Sequence, residues 1–276
     1  MEKEGGRGVE TWIADGQRGC MLLRGDGCQR LGPPGCALCA GLGRVFCAGQ
    51  KRCICYERET GRALFDFSIP GGVCALEFLR ERVYALSADA DSLSAYSAWN
   101  GELLFSAPAG VYPRGMALSP CGRYLAVAGG AAGEILLLDD LLQDHARHRV
   151  AGVACAVAFF PRMLGVLCAV GEMELSARFV GISQRGVAEE LLALPAPPCA
   201  LCARPGGGCL LGCHGMLYSL RADGKISRGM PWGYPAKIRS FRQHALICDP
   251  WQRDVRLLKG ERIYEGAAPE DALLFL

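Results

Sequence analysis

One short apolar segment recurs seven times along this chain, and that recurrence limits the possible folds more than any other feature. The copies read PPGCALCA from Pro33, GGVCALEF from Gly71, PRGMALSP from Pro113, GVACAVAF from Gly152, APPCALCA from Ala196, YPAKIRSF from Tyr234 and PEDALLFL from Pro269. Each carries Pro or Gly at its start and continues with small and apolar residues, the pattern of a turn leading into a short buried strand. A second apolar run follows most copies: RVFCAG, RVYALSA, RYLAVAGG, MLGVLCAVG, CLLGCHG and HALICDP. A third run ends in a hairpin signal, as in RETGRAL, AWNGELL, RADGKIS and LLKGERI. Asn-Gly and Asp-Gly are the strongest of these turns. Four strands per unit, with no amphipathic helix between units, is the signature of propeller blades.

Spacing supports the same reading. The turn glycines Gly61, Gly101, Gly186, Gly224 and Gly260 are separated by one or two periods of about 40 residues. The last copy stops after one strand, whereas ETWIADG, GCMLLRGDG and CQRLGP near the start supply a second, third and fourth. The expected fold is therefore all-β: a single seven-bladed β-propeller over residues 1–276, with four antiparallel strands per blade. Blades are expected at about 32–69, 70–110, 111–151, 152–195, 196–232 and 233–267, with a composite of 268–276 and 9–31 that closes the ring. Closure removes the sheet edges that invite aggregation. The closing strand carries Ala272, Leu274 and Leu276 on one face and Leu273 and Phe275 on the other, apolar on both as a buried strand should be.

Composition excludes several classes of function. The net charge of +2 over 276 residues creates no general field toward nucleic acid or an anionic membrane. The N-terminus MEKEGGRGVETW is polar where a signal peptide needs an apolar core, and no apolar run reaches the roughly 18 residues of a spanning helix. Sixteen cysteines in a chain of this length, without an export signal, read as reduced thiols in a cytoplasm rather than as a disulfide scaffold.

The stretch YPRGMALSPCGRYLAVAGG, Tyr112 to Gly130, resembles the repeat of YVTN-type and lactonase-type seven-bladed propellers, a WD40-like architecture. In that repeat a Ser-Pro-Asp-Gly-Arg turn joins the first two strands of a blade. The corresponding residues are Ser119, Pro120, Cys121, Gly122 and Arg123, with Cys121 in place of the usual acidic residue. One blade alone keeps the turn, and the Trp-Asp and Gly-His signatures of WD40 repeats do not occur. The resemblance implies the propeller along the full chain and says little about activity.

Candidate chemistry is sparse. The CALC pairs Cys36/Cys39 and Cys199/Cys202 have zinc-like spacing. Both fall on innermost strands, where residues three apart face opposite ways and lie about 10 Å apart, so packing is the better reading. Cys53/Cys55 and Cys209/Cys213 are read the same way. His145, His148 and Asp144 could gather on a helical turn as metal ligands, but they sit where the outer hairpin of a blade belongs, as a solvated insertion. Cys213 and His214 are adjacent, which in a strand sends the side chains apart and spoils a nucleophile-base pair. No Gly-rich run opens a helix to cradle phosphate. No catalytic residue, metal or cofactor is therefore assigned.

Propeller ligands bind where the loops leading into the inner strands meet the loops joining strands two and three. The first loop class contributes Tyr112, Arg114, Tyr234, Lys237, Glu270 and Asp271. From the second come His214, Asp249, Trp251 and Arg253, besides Asp15, Arg18, Lys51, Arg52, Asp89, Asp91, Glu134 and Glu172. Cys121 is expected on the opposite face. This mixed rim suits a non-catalytic scaffold that binds a protein or peptide, or a small polar ligand. The alternative is a lactonase-like hydrolase at the channel mouth. Calcium-dependent six-bladed lactonases, which the family likeness brings to mind, use Asn beside Glu and Asp, and the single asparagine here, Asn100, belongs to a hairpin.

Overall fold

The computed structural model describes residues 10–25, 27–129, 133–161, 163–170, 174–204, 207–221, 225–241, 244–259, 262–266 and 268–275. Gly224, Gly260, Glu172 and Leu276 lie outside the described residues. The rest forms 28 strands, numbered β1 to β28 in chain order, in seven antiparallel sheets of four. Among the described residues no helix is long and apolar enough to cross a membrane.

Seven strands line the centre: β4 (Ala37–Gly41), β8 (Val73–Leu79), β12 (Gly115–Leu118), β16 (Val153–Phe159), β20 (Pro198–Ala203), β24 (Lys237–Phe241) and β28 (Pro269–Phe275). Each touches the next and β28 touches β4, so the ring is closed. In the closing blade β28 pairs with β1 (Glu10–Asp15), followed by β2 (Gly19–Arg24) and β3 (Gly27–Arg30). Glu10 sits opposite Phe275 and Ile13 opposite Ala272. Ala272 and Leu274 pack with Leu246 and Val255 of the sixth blade, while Leu273 and Phe275 pack on the side of Trp12 and Leu38. Both faces of the last strand are thus covered, the condition under which strands lose their alternation of polar and apolar residues.

The core lies between blades rather than within any one of them. Phe46, Cys53, Cys55 and Phe67 of the first blade interleave with Leu76, Val83 and Tyr96 of the second, and the Phe67 and Tyr96 rings meet at 4.8 Å. All sixteen cysteines are free thiols. Cys39, Cys53, Cys55, Cys209 and Cys213 belong to these interblade layers, and burial raises their pKa values; for Cys209 and Cys213 the thiols are pushed up to about 12.

The outer hairpins are closed by loops longer than two residues. Asn100 keeps a negative φ, and Gly101 alone takes the left-handed conformation, at 74°. The loop closes through Gly101 N donating to Ser97 O and Ser97 N to Glu102 O. A register shift follows in the pairing of β10 (Ser92–Ser97) with β11 (Leu103–Pro108). The same shift between third and fourth strands recurs in the first six blades. In the first, second and fourth blades Gly61, Gly101 and Gly186 take the left-handed place in this wider, bulged loop, and in the third Leu142 takes it at a φ of 63°; such bulges increase twist. Asp144, His145 and His148 lie on the outermost strand of the third blade, β15 (Asp144–Arg149), with His145 at its register shift, not on an insertion or a helical turn. Among the described residues no group of His, Cys, Asp and Glu could hold a metal ion.

Candidate binding site at the channel mouth

Two loop classes do converge on one face. Tyr234 N donates to Asp249 Oδ2 at 2.8 Å, tying the segment that leads into β24 to the turn after β25 (His244–Asp249). Asp249 Oδ1 accepts from Trp251 N at 3.1 Å and Gln252 N at 2.9 Å. With both oxygens engaged and no solvent exposure, Asp249 is a turn anchor and offers no charge to a ligand. Its effect is to align two rings. Tyr234 and Trp251 stack with centroids 4.9 Å apart and planes at 12°. The His214 ring sits edge-on to both, 4.8 Å from Trp251 and 6.3 Å from Tyr234. Trp251 is 66% exposed, so the cluster is an aromatic shelf held from below.

Inside the shelf is the channel, a cavity of about 420 Å³ whose wall includes Arg114, Cys155, Cys199, Lys237, Arg239 and Glu77. Arg114 Nη1 reaches Glu174 Oε2 at 3.2 Å and Cys155 Sγ at 3.5 Å. Burial works against the Arg114 charge, but Cys155 and Glu174 outweigh it and raise its pKa. Lys237, also in the wall, has no hydrogen bond or ion pair among the described residues, although its charge acts on Asp271 and on Cys74. Burial raises the Tyr234 hydroxyl, with Cys199, Cys155 and Glu270 adding to the rise and Arg114 opposing it. These groups therefore share one electrostatic neighbourhood. Glu270 is half-buried beside Gly16, and burial, Asp15 and Asp271 raise its pKa.

Deeper in the channel, Arg239 bridges several blades. Its guanidinium meets Asp271 Oδ2 at 2.9 Å, Leu38 O at 2.9 Å and Glu77 Oε1 at 3.3 Å. Asp271, with no solvent exposure, also accepts Leu38 N at 3.0 Å. Burial alone would raise its pKa; Arg239, Lys237 and the Leu38 amide overcome that and lower it. The carboxylate therefore belongs to a bridge inside the ring, beneath the rim.

The expected rim residues thus separate. His214, Tyr234 and Trp251 form the shelf over Asp249; Arg114, Lys237 and Glu270 surround the mouth; Asp271 lies within. Tyr112 is 65% exposed, with a φ of 51°, and its amide donates to Asp91 Oδ1 at 2.8 Å; its ring does not stack on those of the shelf. Arg253 is exposed on the turn after Trp251, and its carbonyl accepts Gly266 N. Sequence reasoning missed Arg239 and Glu174, because nothing local shows that a strand side chain will span the ring. It also passed over a visible pattern: the fourth residue of the repeat is Cys in four of the seven copies, Cys36, Cys74, Cys155 and Cys199, and Met116, Lys237 and Ala272 in the others. Burial pushes the Cys36 and Cys199 thiols up to about 12 and Cys74 to about 11.

No family model and no curated protein sequence matches the chain. Solved structures do. The chain is similar to a proposed 6-phosphogluconolactonase from Bacteroides uniformis, at 13% identity and a TM-score of 0.74, over 98% of this chain and 100% of that one. A proposed 6-phosphogluconolactonase from Bacteroides fragilis matches at 10% identity and 0.75, over 100% of both chains. A functionally unknown protein from Desulfotomaculum acetoxidans matches at 11% identity and 0.76, over 96% and 98%. At these identities the likeness establishes the seven-bladed fold.

Proposed function

We propose that this propeller is a non-catalytic binding scaffold that receives an acidic or polar protein segment at its channel mouth. The observation that carries this reading is the His214–Tyr234–Trp251 shelf, with His214 and Trp251 exposed, above a channel wall that includes Lys237. Exposed aromatic side chains with a charged neighbour are the anchors on which interfaces concentrate their energy. His214, in the turn, packs on rings, while Cys213, the last residue of the preceding strand, is fully buried, an arrangement that suits contact better than proton transfer. The test is affinity purification with wild-type protein and the Trp251→Ala and Lys237→Glu variants in parallel. A partner retained by wild type and lost from both folded variants supports the reading; a partner retained by all three places the interface elsewhere and overturns it.

Lactone hydrolysis is the second reading, favoured by the names of the Bacteroides neighbours and by Glu270. A half-buried carboxyl with a raised pKa, whose charge reaches the Tyr234 hydroxyl, has the character of a general acid-base group. Purified protein given a sugar δ-lactone would open the ring faster than buffer, and Glu270→Gln would abolish the excess rate. An unchanged rate in that variant would exclude this role for Glu270.

A further inference from the structure

The face opposite the rim holds a second cavity, of about 750 Å³, between the third and fourth blades. Its wall is apolar, with Phe160, Met163, Leu164 and Ile182 prominent; Phe160, Leu164 and Ile182 are buried side chains of the interblade core. His145 and His148 of β15 border it, as do Arg185 and the Ser119–Gly122 turn with Cys121. That turn is the family-like motif of the sequence, and the channel mouth makes no use of it.

The border is built, not loose. Ser119, itself nearly buried, accepts the amides of Arg123 and Tyr124 at 3.2 and 3.0 Å. The Tyr124 and His145 rings meet at 4.7 Å. Gly186, at a φ of 78°, brings the fourth-blade turn against the His148 ring, where an added Cβ would lie 3.2 Å from Cε1. Among the described residues no Asp or Glu lines the cavity, and Arg185 has no hydrogen bond or ion pair. The volume is that of a small-molecule site, for which apolar walls and a few convergent polar groups are the usual composition. Among the described residues the side chains able to carry positive charge here are two imidazoles and a guanidinium, with no carboxylate beside them.

We propose that this cavity binds a small amphipathic carboxylate, with its hydrocarbon against Phe160, Met163, Leu164 and Ile182 and its charge beside Arg185 and the two histidines. Charge complementarity selects the anion; an apolar alcohol of equal length would leave Arg185 without a partner. Cys121 supplies a reporter. Its thiol is exposed, and the Ser119 hydroxyl and Arg123 amide hold it below the ordinary thiol range.

The experiment uses the full chain with dodecanoate, and dodecanol as the uncharged control. Calorimetry should give saturable binding of dodecanoate at least about tenfold tighter than that of dodecanol. With dodecanoate at about ten times its Kd, alkylation of Cys121 by a maleimide, followed by peptide mass spectrometry, should slow about tenfold; the exposed Cys28 should be unaffected. Arg185→Glu should weaken dodecanoate about tenfold or more without altering the melting temperature. Equal affinity for acid and alcohol, no protection of Cys121, or an unchanged Kd in a folded Arg185→Glu protein would each overturn the proposal. The first two measurements need no variant, so misfolding of Arg185→Glu cannot rescue it.

Discussion

Asp249 and Asp15 occupy equivalent positions in neighbouring blades. Each ends a second strand, caps its own turn, and also takes an amide from the segment leading into the inner strand: Tyr234 for Asp249, Ala268 for Asp15. The shared words ADGQR and CDPWQR carry this role in sequence, although an Asp before a turn reads equally well as a solvated rim charge. Removing Asp249 leaves up to three amides without their acceptor, at about 1–3 kcal/mol for each that stays buried. Asp249→Ala should therefore lower the melting temperature and shift Trp251 fluorescence, whereas Trp251→Ala should leave stability nearly unchanged. Two adjacent acids respond oppositely to pH. The Asp271 pKa is lowered on folding, so its contribution is complete above the unfolded value near 3.9 and is lost as pH falls through the folded value. Asp271→Ala should cost about 3–5 kcal/mol at neutral pH, and less at pH 2, in urea titrations. The Glu270 pKa is raised, so its favourable contribution is present below about pH 4.3 and lost as pH rises through the folded value. Glu270→Gln should therefore raise the melting temperature at pH 7 and leave it unchanged at pH 4.

At the scale of the element, the third-to-fourth-strand connections show how far local sequence reaches. Gly61, Gly101 and Gly186 were legible as turn residues, because a left-handed residue is needed to close the loop, whereas Leu142 in that role in the third blade was not. Nor was the bulge beyond the turn. A two-residue hairpin and a bulged loop share the same Asn-Gly signal, and the choice between them depends on how the outer strand packs across to the adjoining blade. At Gly101 that packing is severe: an added Cβ would lie 2.6 Å from Phe67 of the first blade. Gly101→Ala should destabilise by about 1–3 kcal/mol through left-handed strain and this contact. Asn100→Ala, at negative φ, should cost far less; the pair of melting curves separates the two causes. His145 and His148 make the same point. Their residue types suggested a ligand set, but the ladder that β15 forms with the third strand placed them along a blade edge.

Across the whole molecule, stability depends on joining the two ends of the chain. Removal of residues 271–276 takes away most of β28, including Ala272 and Leu274 from one interblade layer and Leu273 from the next. It also leaves Arg239 without Asp271. Large buried apolar side chains are worth about 1.5–3 kcal/mol each, against a total stability of about 5–15 kcal/mol, so the truncated chain should fail to melt cooperatively. A truncated protein that melts like the full chain would overturn the closure argument. The count of seven, the four strands per blade and the shared closing blade were all readable from the sequence, because repetition and apolar runs are one-dimensional properties. The Arg239 bridge, the aromatic shelf and the cavity beside Cys121 were not. Each joins side chains from strands or turns of different blades, and only the angle between neighbouring sheets brings those side chains within reach of one another.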